Sequence, residues 1–339
     1  MLKTFTLVLL LFSTTSVWAQ LGGRATYQFL NLVSSPKQAA LGGKVVTDYS
    51  YDPTSALFNP ATINAAMDNQ LSLNYVNYLA DVNYGSASYA YLYDRRTQVI
   101  HAGVTYISYG NFNGYDENGE ATEDFSGGEV ALSLGYAYNI PYTDIFVGAN
   151  AKVISSKLDE YTSLGVAADL GFIYVNEELQ LNIGAVVRNI GTQIKTYDAI
   201  REDLPLEIDV GFSQRIPRVP IRWHLTFENL QLWNIAFENS ARTTEDLEGN
   251  QTGENINFVD NVFRHTIIGA ELFPEGGFNI RLGYNFRRGE ELRIVNQRSF
   301  AGLSAGFSIK FNKLRLSYSY ARYNSAASSG FFGLNLDLQ

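Results

Sequence analysis

From about residue 69 to its end the chain keeps one period, that of two. In "EVALSLGYAY" the residues Val130, Leu132, Leu134, Tyr136 and Tyr138 share one face, and Ala131, Ser133, Gly135 and Ala137 share the other. "LGVAADLGFIYV", "FNIRLGYNFR", "AGLSAGFSIKF" and "KLRLSYSY" repeat the pattern. Alternation at this period puts successive side chains on opposite faces of a strand and is incompatible with an amphipathic helix. Roughly fourteen such segments follow one another, each of about ten residues, the length a tilted strand needs to cross a bilayer.

The two faces have different chemistry. One is Leu, Val, Ile, Phe and Tyr; the other is largely Gly, Ser, Ala and Asn with an occasional charge. A soluble sandwich also alternates, but its water face is rich in Lys, Glu and Thr. Small residues suit a crowded concave lumen, and the large ones suit hydrocarbon. The many tyrosines near segment ends, Tyr75, Tyr78, Tyr106, Tyr109, Tyr136, Tyr138, Tyr174, Tyr318 and Tyr320 among them, read as interfacial girdles. Connectors mostly alternate: short ones such as "NIPYTD", "VNEEL" and "FPEGG", then longer ones at 110–127, 191–204, 231–262 and 289–299. Pro141, Pro205, Pro217, Pro220 and Pro274 fall in connectors or at a strand's first residue, where the missing N–H breaks no ladder. The expected fold is an all-β membrane protein, a closed fourteen-stranded antiparallel barrel over 69–339. An even strand count returns the chain to the short-turn side, so both termini are expected to be periplasmic, with the long loops extracellular.

The start of the chain is built differently. Lys3, the apolar run "FTLVLLLF" and the small residues Val17 and Ala19 read as a signal peptide over 1–19. Residues 20–68 hold three dipeptides, Ser35-Pro36, Asp52-Pro53 and Asn59-Pro60. Each sets a capping side chain before a proline at the first helical position. They predict three short helices, "SPKQAALGG", "DPTSALF" and "NPATINAAM". Helices this short are unstable alone in water, so a hatch or plug inside the lumen is expected.

Little supports other chemistry. The net charge of -9 argues against nucleic acid. There is no cysteine, hence no disulfide or thiol nucleophile. His101, His224 and His265 share no metal-ligand spacing, so solvated or lumen positions are expected. "SSPK" fits S-x-x-K without its companion motifs, and "DENGE" at 116–120 resembles half a calcium loop without the closing Glu. No catalytic residue, cofactor or metal is expected. Charges on the small face, Glu207, Asp209, Arg222, Glu228, Arg281, Arg287 and Arg315, are expected to face the lumen. Mutual pairing in a filled lumen is the preferred reading, with a charged permeation path as the alternative.

"DPTSALFNPATI" resembles the hatch signature D-x-x-x-A-x-x-x-N-P-A of the barrels related to the long-chain fatty-acid transporter FadL. Asp52, Ala56, Asn59, Pro60 and Ala61 match, with Pro53 inside the motif, whereas Thr62-Ile63 departs from the usual Gly-Leu continuation. Together with "YQFLNLVSSPKQAALGG" at 27–43, the chain resembles the PorV/PorQ branch of the type IX secretion system of Bacteroidota, PorQ most closely. That resemblance implies a non-enzymatic outer-membrane subunit of the cell-surface attachment complex, set in outer-membrane lipid. It implies a PorZ-like surface partner, with the PorU sortase and PorV as further partners. Loop residues Asp116, Glu117, Trp233 and Phe237 become the docking candidates. The alternative is a FadL-like transporter of hydrophobic small molecules.

Overall fold

The computed structural model describes residues 25–79, 81–94, 98–116, 118–235, 244–245, 251–252, 256–292, 300–323 and 328–339. The expected signal peptide and the docking candidates Glu117 and Phe237 lie outside them.

Fourteen antiparallel strands close into one barrel. In chain order they are β1 (Gln70–Leu79), β2 (Val82–Asp94), β3 (Gln98–Phe112), β4 (Phe125–Asn139), β5 (Ile145–Leu158), β6 (Tyr161–Asn176) and β7 (Leu181–Lys195). Then come β8 (Glu207–Arg215), β9 (Ile221–Phe227), β10 (Thr266–Leu272), β11 (Phe278–Asn285), β12 (Leu303–Phe311), β13 (Leu314–Ala321) and β14 (Ser329–Asp337). Closure comes from β1 pairing with β14, Gln70 opposite Asp337 and Asn77 opposite Gly330. Every strand thus has two partners, the condition for crossing hydrocarbon with strands, although β7 outruns β8, their ladder ending at Arg188 opposite Glu207.

The alternation sorts as the sequence predicts. Along β4, Val130, Leu132, Leu134 and Tyr136 are exposed on the outside, while Ala131, Ser133, Gly135 and Ala137 are buried toward the lumen. Leu134, at 67% exposure, has nothing to pack on but its surroundings. An outer face of that kind is a hydrocarbon-facing belt. Tyr75, Tyr106, Tyr136 and Tyr320 belong to it. Tyr78 and Tyr109 do not: Tyr78 rings against Tyr84 and Tyr323, and the Tyr109 hydroxyl donates to Glu129 at 2.6 Å. They sit one residue out of phase with the outward set and face the lumen.

The wall is uneven. Strands β2 to β7 have 13 to 16 residues, whereas β8 to β11 have 7 to 9. Above the short strands the rim is continued by two helices, α2 (Phe258–Arg264) and α3 (Phe286–Glu291). Helix α2 starts on a capping box between Asn257 and Asp260. A two-residue ladder joins Thr244–Glu245 to Gln251–Thr252 in the same long connection.

Residues 25–68 lie within the barrel. Helix α1 (Pro36–Ala40) is the one α-helix there, capped by Ser35 and ended at Gly42 (φ +102°). The other two expected helices are 3-10 turns, Pro53–Leu57, then Pro60–Thr62 and Ala65–Met67. In each, a side-chain oxygen two residues before the bonded N–H, on Asp52, Asn59 and Asn64, closes a tight turn.

One expectation changes. The barrel does begin and end on the short-turn side, but the described chain does not start there. Ala25 bridges Asp203, in the long β7–β8 connection, and Thr26 N donates to Asp203 O at 2.9 Å. The segment therefore runs from the long-loop end down through the lumen to β1. The two described ends lie on opposite sides, because the plug crosses the barrel once before the strands begin.

Candidate functional site: the plugged lumen

The motif that starts the turns also fastens them to the wall. Asp52 Oδ1 accepts from Thr54 N at 2.9 Å, capping the first turn, and from Asn335 Nδ2 of β14 at 3.2 Å. Asn59 does the same further along. Its Oδ1 accepts from Ala61 N at 3.0 Å, and its Nδ2 donates to Val46 O at 2.7 Å and Phe172 O at 3.3 Å. Ala56 and Ala61 are fully buried. Asn150 on β5 donates to Ala56 O at 2.8 Å. Pro60 and Asn59 press on Gly148 of β5 and Gly171 of β6, where any Cβ would overlap them. Gly269 and Gly283, on β10 and β11, make room in the same way for Leu41 and Gly42. These four glycines are therefore slots for the plug.

Two groups of buried charge join plug to wall. In the first, Glu207 on β8 accepts from Lys44 of the plug and from Arg188 on β7. Asp169 on β6 pairs with Lys152 on β5 at 2.7 Å. These groups meet through a bulge: Ile190 and Val187 of β7 oppose Ala168 and Leu170 of β6, so both Arg188 and Asn189 oppose Asp169. Asn189 takes φ +59°, and its N–H donates to Asp169 Oδ1 at 2.9 Å. Such an extra residue redirects side chains, and here two consecutive ones enter the lumen.

The second group lies on β10, β11 and β13. Arg281 Nε donates to Glu271 at 2.8 Å, and Arg315 donates to Asn279 Oδ1 at 2.6 Å while its guanidinium covers the Tyr51 ring at 4.5 Å. Lys37 of α1 pairs with Asp48 at 2.6 Å.

The expected lumen charges are placed as follows. Glu207, Asp209, Arg281 and Arg315 are buried on inward strand positions. Asp209 Oδ1 accepts from Asn229 N at 2.9 Å. Arg222 is half-buried on β9, and Glu228 is buried just past its end. Arg287 is not on a strand: β11 stops at Asn285, and Arg287 pairs with Glu291 at 2.9 Å within α3. The alternation of "NFRRGEE" ends where Asn285 caps a helix. Lys44, Asp48, Lys152, Asp169, Arg188 and Glu271 were not singled out from the sequence, and Lys37 stood out only as the lysine of "SSPK". For Lys152, Asp169 and Glu271 a signal existed, an ionisable residue at a small-face position.

All three histidines are buried and none is solvated. His101 and His224 face the lumen from β3 and β9, and His265 contacts Glu228 O at 2.6 Å and Trp233 O at 3.1 Å. Of the docking candidates, Trp233 stacks between Phe258 of α2 (4.9 Å) and His265 (5.5 Å), with 41% of it exposed. Asp116 closes its own loop. The Glu120 N–H at 2.8 Å, together with Asn118 N at 2.9 Å, holds its carboxyl below the usual range.

No family model matches the chain, and no curated protein does. Among solved structures it is similar to a Pseudomonas aeruginosa FadL homologue, at 9% identity over 90% of this chain and 98% of that one, with a TM-score of 0.49. It is also similar to the KdgM porin, at 6% identity over 80% and 99%, with a TM-score of 0.32. The fourteen paired strands, and not these scores, define the fold.

Proposed function

We propose that this protein is a non-enzymatic outer-membrane component of the type IX secretion system. In this reading it is a scaffold of the surface attachment complex and docks a PorZ-like surface protein through its long loops. PorU and PorV are further partners on the same reading, and the long loops face outward. The observation that carries the proposal is the filled lumen, closed by polar ties and by an apolar cluster that packs Phe29, Leu30, Leu57 and Phe58 of the plug against Tyr84, Ile107 and Phe331 of the wall. Plug and wall are joined by ion pairs Lys44–Glu207 and backbone-directed amides such as Asn59 and Asn150. The enclosed gap beside Leu30, Leu57 and Phe58 has only about 10 Å³. A conduit for hydrophobic molecules wants an open path and a way out; here each strand pairs with two neighbours, and the plug is tied to the wall through Lys44–Glu207 and Asp52–Asn335. What such a barrel offers a cell is its rim. The residue likeness at 27–43 and in the hatch motif supports the choice of secretion system.

The test is a pulldown in mild detergent. The tagged full chain is expected to bring down a surface protein together with a second outer-membrane barrel. Recovery of the barrel alone, with fatty-acid uptake lost in a null strain, would favour the transporter instead.

A further inference from the structure

The outward residues of β1 to β5 fall into register rows. One row is Leu73, Ala87, Val104, Leu132 and Val153. Two residues nearer the long-loop end it becomes Tyr75, Gly85, Tyr106, Val130 and Ser155. Two further it is Asn77, Asn83, Ser108, Gly128 and Lys157. Apolar, then aromatic, then polar is the sequence of chemistries met on leaving hydrocarbon for headgroups.

At that polar row the wall is hollowed rather than flat. A depression of about 670 Å³ is lined by Asp81, Asn83, Ser108, Asn111, Ser126 and Lys157. Its floor is glycine, at 110, 127 and 128. The β3–β4 register slips between Ser108 and Asn111, and Gly110 turns there at φ +79°. A Cβ on Gly110 would come within 2.7 Å of the Asp81 side chain. The hollow is thus made by backbone that carries nothing into it. Among the described residues neither the Asp81 carboxylate nor the Lys157 ammonium has a hydrogen-bond or ion-pair partner. Both are exposed on the same depression.

We propose that this depression binds a membrane lipid whose headgroup carries both a phosphate and an ammonium group. Lys157 meets the phosphate, with Ser108 and Ser126 as hydroxyl donors. Asp81 meets the ammonium. The acyl chains run down over Tyr106, Val130 and Leu132. A purely anionic headgroup would leave Asp81 facing like charge, and a purely cationic one would do the same to Lys157. The site does not depend on the secretion role.

The test uses the full chain, stripped of lipid in detergent, and native mass spectrometry with three probes suited to an outward-facing leaflet: lipid A bearing a phosphoethanolamine group, lipid A without it, and soluble phosphoethanolamine. The phosphoethanolamine-bearing lipid A is expected to bind roughly tenfold more tightly than lipid A without that group, the worth of one charge-assisted hydrogen bond. Asp81→Asn is expected to abolish that preference, and Lys157→Gln to weaken both lipids. Equal binding of the two lipids by the unaltered chain would overturn the proposal without any variant. So would stronger lipid binding in Asp81→Asn, which would mark a phosphate-only site. Binding of phosphoethanolamine as tight as the lipid would show a soluble ligand and overturn the membrane source.

Discussion

Asn59 and Gly171 occupy one place in the lumen between them: the Asn59 amide oxygen lies where a Cβ on residue 171 would have to be. The cap that starts a turn in the plug is therefore seated in a slot cut into β6, and the two residues are 112 positions apart in the chain. Gly171→Val is expected to leave the barrel folded while unseating residues 59–61, at about 1–3 kcal/mol for an overpacked site. Limited proteolysis of the detergent-purified protein checks it. New cleavage between 44 and 68, with retained heat-modifiable mobility, is the expected pattern; unchanged cleavage would contradict it.

Asn59→Ala removes a cap and leaves the Val46 and Phe172 carbonyls without their donor. Loss of an N-cap costs about 1 kcal/mol, and each buried acceptor left unmet adds about 1–3 kcal/mol. The same change at Asn118, which caps nothing in the lumen and sits in an exposed loop, is expected to move the denaturation midpoint much less. Comparing the two midpoints in urea gives the answer.

Glu207 binds two cations from two segments. Glu207→Ala would leave Lys44 and Arg188 buried without it, a loss of about 3–5 kcal/mol. Glu275→Ala, which breaks the exposed pair with Arg215, is expected to cost less than about 1 kcal/mol. Thermal unfolding followed by tyrosine circular dichroism should separate the two clearly, and equal shifts would show that the lumen network carries no stability.

Because Ala25 lies at the long-loop end, an epitope placed just ahead of it should be reached from the same side as one inserted at Asp116. An epitope after Gln339 should be reached only when the membrane is breached. Antibody labelling of intact and permeabilised cells reads this directly. A protected amino-terminal epitope on intact cells that expose the Asp116 one would overturn the threading.

Removing residues 240–255 spares helix α2 and its Asn257 cap. The expected result is a barrel inserted and heat-modifiable as before, with the surface partner lost from the pulldown. Full retention of that partner would refute the loop assignment.

The sequence by itself determined what depends on neighbours. Alternation in "EVALSLGYAY" is written by the pleat, which repeats every second residue whatever the rest of the chain does. The turns at Asp52 and Asn59 were legible because a cap reaches only two or three residues onward. Tertiary structure decided everything that needed closure. Lys44 finds Glu207 at a separation of 163 residues, and no local pattern carries that register. Arg188 and Asn189 both turn inward because one bulge adds a residue to β7, which alternation cannot foresee. Arg287 left its expected face because Asn285 caps a helix there. The direction of the plug, from the long-loop end to β1, follows from where Thr26 meets Asp203 once the barrel has closed around it.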